Sequence, residues 1–344
     1  MTDITQFDPH APGQTGAGIF GLPFTEADAN IVLLPVPWEV TASYRGGTAA
    51  GPEAIVQASP QLDLFDEVYG EVWKRGIALA EVSGHIKALN QLMRPLGEQL
   101  LQFQEDGGAI EGNIIMEGIL ADVNDACGRM CSLVQEQSAA LLAAGKKVVL
   151  IGGDHSTSLG YLAALAHKYG EFGILQIDAH MDLRPAYAGF TWSHASIMYN
   201  ALQMQELTSL VQVGVRDFSR EEYRLSEAEP RIHAFTGRKL AVARFAGKSW
   251  EETCKEIVEA LPAKVYVSFD IDGLEPGLCP HTGTPVPGGL DFDAAMYLLD
   301  VVRESGRKFI GCDLVEVAPG PEGDEWDGNV GARIAYRLCG LLAD

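Results

Sequence analysis

Three short stretches concentrate side chains able to hold a metal ion. Gly152-Gly153-Asp154-His155-Ser156, Asp178-Ala179-His180-Met181-Asp182 and Asp270-Ile271-Asp272 each close an otherwise apolar run. Alternate spacing sends Asp178, His180 and Asp182, and likewise Asp270 and Asp272, to one side of an extended backbone. A single Asp-X-Asp at a strand end usually serves as a cap or turn. Brought to one place, however, two imidazoles (His155, His180) and four carboxylates (Asp178, Asp182, Asp270, Asp272) would repel severely unless cations were bound. Four carboxylates balance two divalent ions. The donors are all nitrogen and oxygen, with no thiolate, which suits Mn²⁺ or another borderline-hard ion better than structural zinc. Two ions about 3.5–4 Å apart would lower the pKa of a shared water and supply a hydroxide near neutral pH, so hydrolysis is the implied reaction.

Such clusters converge only if the chain places them on one edge. Short apolar runs rich in β-branched residues predict strands over Ile31–Trp38, Lys147–Gly152, Phe172–Ile177, Leu210–Val215, Lys264–Phe269 and Lys308–Cys312. Helical patterns lie between them, as in Ser156–Tyr169, where Ser156 is the expected cap and Leu159, Leu162, Ala163 and Ala166 form one face. This alternation predicts an α/β chain, a three-layer α/β/α fold with a mostly parallel central sheet. In such a sheet the carboxyl ends of the strands share the edge where ligands bind. One domain is expected over 1–344, with 80–138 a variable helical excursion broken at Asp106–Gly112. The Gly- and Pro-rich loop Gly273–Gly289 is expected to lie over the site.

The 344 residues, 47% of them hydrophobic, can fill a large core, which excludes disorder as the dominant state. With 25 Lys+Arg against 47 Asp+Glu the net charge is −22, which argues against nucleic acid or an anionic membrane as partner and draws cations to the surface. Only Cys127 and Cys131 of the six cysteines are close together, so neither a disulfide framework nor a thiolate zinc site is expected, and a reducing cytoplasm is the expected compartment. Met1–Pro12 carries no signal-peptide pattern, and no apolar run approaches the roughly 20 residues of a membrane span.

The motifs at 152–156, 178–182 and 268–276 (Ser-Phe-Asp-Ile-Asp-Gly-Leu-Glu-Pro) resemble the three signatures of the ureohydrolase family of arginases and agmatinases. The likeness extends to Thr282–Leu290, Asp313–Pro319 and more loosely Ser43–Pro52, and is thinnest over Ala80–Ser138. It implies an arginase-like fold and a homotrimer or homohexamer. It also implies two ions: one held by His155, Asp178, Asp182 and Asp270, the other by Asp178, His180, Asp270 and Asp272. Mn²⁺ is the first choice and Ni²⁺ the alternative. By the same resemblance Glu316 pairs with the guanidinium of a small cationic substrate, while His194 or Asp182 returns a proton to the leaving amine. Asp154 orients the site without binding metal.

The loop Leu183–Trp192 followed by His194-Ala195 departs from the arginases that grip the amino acid end of arginine. Agmatine, cleaved to putrescine and urea, is therefore the first expectation. Guanidinobutyrate, formiminoglutamate and simple guanidines are alternatives. Trp38, Tyr187, Phe190 and Trp192 are candidates for an apolar pocket wall, with Trp192 and Arg184 expected to touch substrate. Arg184 or Arg216 would instead meet a carboxylate-bearing substrate. A zinc deacetylase on the related fold and a non-catalytic, metal-holding subunit are the readings from other classes. The full ligand set weighs against the first, and intact Glu316 and His194 against the second.

Overall fold

The computed structural model describes residues 7–11, 13 and 18–343. Most of the Met1–Pro12 segment, read above for a leader, lies outside the described residues. Among the described residues eight strands form one sheet: β1 (Ile31–Val36), β2 (Ile77–Leu79), β3 (Lys147–Gly152), β4 (Phe172–Ile177), β5 (Leu207–Val213), β6 (Ile232–Phe235), β7 (Lys264–Asp270) and β8 (Lys308–Val315). Their order is β2-β1-β3-β8-β7-β4-β5-β6 and every pairing is parallel. All carboxyl ends therefore emerge on one edge.

The helices among the described residues are α1 (Gly51–Ala58), α2 (Gly84–Glu105), α3 (Ile114–Ala143), α4 (Ser158–Tyr169), α5 (Ile197–Ala201), α6 (Arg220–Ala228), α7 (Gly237–Phe245), α8 (Trp250–Glu259), α9 (Phe292–Glu304) and α10 (Trp326–Ala343). None is long and apolar enough to cross a membrane. Side chains of successive strand residues point to opposite faces. Ile31, Leu33, Val149, Ile151, Val265 and Val267 thus share one core with α1 and α8–α10, while Val32, Leu34, Val148, Leu150 and Tyr266 share the other with α2–α5. This is the expected three-layer fold.

The differences from expectation are local. β2 and β6 were not anticipated, since three or four residues give too short a run for a period-2 pattern to show. Ser156 does not cap α4: the Asp154 carboxylate accepts from the Ser156 amide and caps a 3-10 turn over His155–Thr157, and the α-helix begins at Ser158 after Thr157, whose side chain makes no cap hydrogen bond. The 80–138 segment contributes α2 and most of α3, which pack into the second core. From there Arg94 donates to the carbonyls of Glu39 and Ala42, Gln104 to that of Ala188, and Asn124 holds Gly189 and Thr191. These two helices brace loops that border the site.

Candidate metal centre and pocket

In sheet order β3, β8, β7 and β4 are neighbours, so the residues that follow them stand side by side. β3 delivers His155, β4 delivers Asp178, His180 and Asp182, β7 delivers Asp270 and Asp272, and β8 delivers Glu316. Two glycines allow the approach. A Cβ at Gly153 would lie 1.9 Å from the Trp38 carbonyl oxygen, and one at Gly273 would lie 2.6 Å from the Asp178 amide nitrogen.

His155 Nδ1 lies 3.1 Å from Asp178, 3.0 Å from Asp182 and 3.3 Å from Asp270, each to Oδ2. His180 Nδ1 lies 3.2 Å from Asp272 Oδ2 and 3.6 Å from Asp178 Oδ1. The other carboxylate contacts are anchored. Asp178 accepts from the His180 amide (2.6 Å) and Gln176 Nε2 (2.7 Å), Asp270 from the Asp272 amide (2.9 Å), and Asp272 from the Ala179 amide (3.0 Å) and Thr284 hydroxyl (3.3 Å).

Two residues of the site adopt the left-handed backbone region that non-glycine residues avoid, Asp182 (φ 54°) and Glu316 (φ 62°). The Asp182 carbonyl accepts from the Met198 and Tyr199 amides. Glu316 donates its amide to the Gly153 carbonyl (2.8 Å) and accepts the Thr282 hydroxyl on its own carbonyl (2.8 Å). Its carboxylate accepts the His155 amide (2.9 Å). Strain held this firmly at a cleft is characteristic of functional positions.

The donor set fits divalent ions. His155 Nδ1 is buried and makes no hydrogen bond among the described residues, although three carboxylate oxygens face it. Separations near 3 Å are the edges of about 3.0 Å expected between donors sharing one ion at about 2.1 Å. His155, Asp178 and Asp270 form one group able to hold an ion, and Asp178, His180 and Asp272 form a second. The electrostatics agree. Burial and then the Asp178 charge push Asp182 up to about 7. Burial and the charges of Asp272 and Asp178 push Asp270 well above the carboxylate range. Burial opposes ionisation of Asp178 as well, yet His155 and His180 hold it low. Burial also disfavours a charged His180, but Asp272 and Asp178 push it up to about 12. Such a cluster demands positive charge.

A cavity of about 170 Å³ opens on this cluster, with Glu316 and His194 among its lining residues. Burial, followed by the Asp154 charge, pushes Glu316 well above its ordinary range, and among the described residues no salt bridge reaches it. His194 Nδ1 lies 3.4 Å from the hydroxyls of Thr41 and Ser193. Farther out, the cavity is bordered by Tyr187, Arg184, Asp217 and Glu222. Arg184 stacks 4.8 Å over the Tyr187 ring and places Nε 3.3 Å from the buried Glu222.

Several expected contacts fall elsewhere. Trp192 is absent from the cavity wall and packs toward Gly128 of α3, because the Ser193–Ser196 turn directs His194 inward and leaves the preceding indole on the helix side. Trp38 and Phe190 are completely buried in the core, so Tyr187 alone of the four aromatics reaches the cavity. Among the described residues Arg216 forms no salt bridge with an acidic side chain, and its donors are spent on backbone. Its guanidinium donates to the carbonyls of Gly214, Asp272, Gly273, Leu274 and Val286, stapling the loop after β7. Asp154 caps the turn that carries His155. Sequence reading assigned no role to Gln176, Ser268, Asp313 or Glu222. The available signal was polarity inside apolar strands for the first three and the Ser219–Glu222 capping box for the last.

Residues 29–340 match the Arginase family, so the chain belongs to that family of binuclear metal hydrolases acting on C–N bonds of linear amidines. It is 32% identical to an N(1)-aminopropylagmatine ureohydrolase of Thermus thermophilus over 91% of this chain and 90% of that protein. It is 30% identical to an agmatinase of Proteus mirabilis over 92% of this chain and 89% of that protein. Proclavaminate amidino hydrolase from Streptomyces clavuligerus shares the fold, with a TM-score of 0.74 at 23% identity, covering 97% of this chain and 99% of that one.

Proposed function

We propose that this chain is an agmatinase-type amidinohydrolase that carries two divalent ions, Mn²⁺ first and Ni²⁺ as the alternative, and cleaves the guanidinium of agmatine to urea and putrescine. The carrying observation is Glu316, a buried carboxylate without a salt bridge among the described residues, which opens on the same cavity as His155, His180, Asp182 and Asp270 of the donor cluster. His155, Asp178, Asp182 and Asp270 would hold one ion, and Asp178, His180, Asp270 and Asp272 the other. When bound, the ions supply Lewis acidity and an activated water nucleophile.

The protein's own groups do the rest. Glu316, fixed by the His155 amide and its strained backbone, receives the planar cation through charge-assisted hydrogen bonds and orients its central carbon toward the donor cluster. Asp182, at the edge of the donor cluster, and His194, neutral on the wall, are the two groups proposed to take a proton and hand it to the departing amine. The outer wall supports a substrate with a second positive charge. Asp217 borders it, and Arg184 is already engaged by Glu222 and Tyr187, which disfavours a carboxylate end. N(1)-aminopropylagmatine, which the Thermus protein's name gives as its substrate, is the second reading on the same acidic wall. A cytoplasmic homotrimer or homohexamer is the proposed working form.

Glu316→Gln and Asp178→Ala separate the two halves of the site. Glu316→Gln should keep two ions per chain yet lose about 10²-fold or more in kcat/KM on agmatine, the cost of leaving a buried charge unpaired. Asp178→Ala should lose both ions and all turnover. Metal content by mass spectrometry beside urea release decides it, and normal turnover in Glu316→Gln would remove the basis of the proposal.

A further inference from the structure

Directly beneath the ligands, the sheet carries a polar row where apolar residues would ordinarily pack. Gln212 of β5, Gln176 of β4, Ser268 of β7 and Asp313 of β8 are register partners across adjacent strands, and all four are completely buried. The residues on either side of each, such as Val267 and Phe269 or Cys312 and Leu314, are core. Burying polar groups in this way is unfavourable unless each is hydrogen-bonded. Gln212 donates to Gln176 (2.7 Å), and Gln176 to the ligand Asp178.

The other half of the row ends on His155. Asp313 accepts from the Tyr266 hydroxyl (2.6 Å), the Phe269 amide (3.0 Å) and the Ser268 hydroxyl (3.0 Å). With its hydrogen given to Asp313, Ser268 Oγ offers only lone pairs to His155 Nε2, 2.8 Å away. In the neutral imidazole that an ion requires, Nε2 is then the protonated nitrogen and the lone pair sits on Nδ1, the atom that faces Asp178, Asp182 and Asp270. A His155 free to choose would turn a proton toward those three carboxylates and block the ion.

We propose that Asp313 is a positioning residue that, through Ser268, sets the tautomer of His155 and thereby the affinity of the ion shared by His155, Asp178, Asp182 and Asp270. This rests on the two-ion reading above.

Asp313→Asn tests it with nearly unchanged shape. The new amide donates to Ser268 Oγ, which turns its own hydrogen to His155 Nε2 and moves the imidazole proton to Nδ1. Titration of the chelated protein with Mn²⁺ should show two ions in the parent. In the variant the ion at His155 should bind about 10–100-fold more weakly while the ion at His180 is kept. The thermal midpoint of the chelated variant should stay near the parent's, and Co²⁺ absorption should report one site lost. Ser268→Ala, lacking the acceptor, should weaken the same ion and serves if the Asn variant does not fold. Two ions bound with parental affinity in either variant would overturn the proposal, as would equal weakening of both. A parent that itself binds fewer than two ions would instead overturn the two-ion reading and this inference with it.

Discussion

Glu316 and His194 line one cavity but are held in opposite ways. Glu316 is a carboxylate short of a cation, whereas His194 is an imidazole kept neutral: burial, then the positive fields of His180 and His155, hold it down to about 3 from 6.5. The unfolded chain therefore binds a proton here across the window from about 6.5 to 3 that the folded chain refuses. Its contribution to stability is fully present above that window and is lost as pH falls through it. Chelated His194→Asn, which has no such proton to refuse, should lose less stability than the chelated parent between about pH 7 and about pH 4.5 in denaturant unfolding. Parallel losses would contradict this account of the imidazole. Residue types pointed to the six side chains that the fold brings together, because three such clusters at strand ends, unlike a single Asp-X-Asp, have few other uses together. They did not reveal Ser268 and Asp313, since one polar residue in a strand carries no sign of what it meets in three dimensions. Trp192 misled for the same reason.

Among the elements, the long buried strands were legible from their apolar runs, and β3 and β4 carry the bounds their sequences predict. β2 and β6 were not, being edge strands too short to show a period. What the runs also concealed is order: β8, late in the chain, inserts between β3 and β7 and thus brings Glu316 against the His155 turn. That closeness requires the β3 exit to pass Trp38 without a side chain. Gly153→Ala should destabilise by about 3 kcal/mol, because its Cβ would meet backbone that cannot swing aside. A thermal melt of the chelated protein reads this directly, and an unchanged midpoint would show that the strand exit is looser than described. The stapling by Arg216 acts at the same level, tying the loop after β7 to the end of β5 by carbonyls alone.

For the molecule as a whole, a charge of −22 and a cavity walled by carboxylates favour cationic ligands at every distance. The most direct test is product release from a panel of guanidines by chelated protein reloaded with Mn²⁺ or, separately, Ni²⁺. The panel holds agmatine, N(1)-aminopropylagmatine, guanidinobutyrate, arginine, guanidine and methylguanidine, with formamide scored from formiminoglutamate. Urea and an equal amount of putrescine from agmatine, abolished on chelation and restored by metal, is the predicted result. Two ions bound with no urea from any guanidine, or turnover confined to the carboxylate-bearing substrates, would contradict the account.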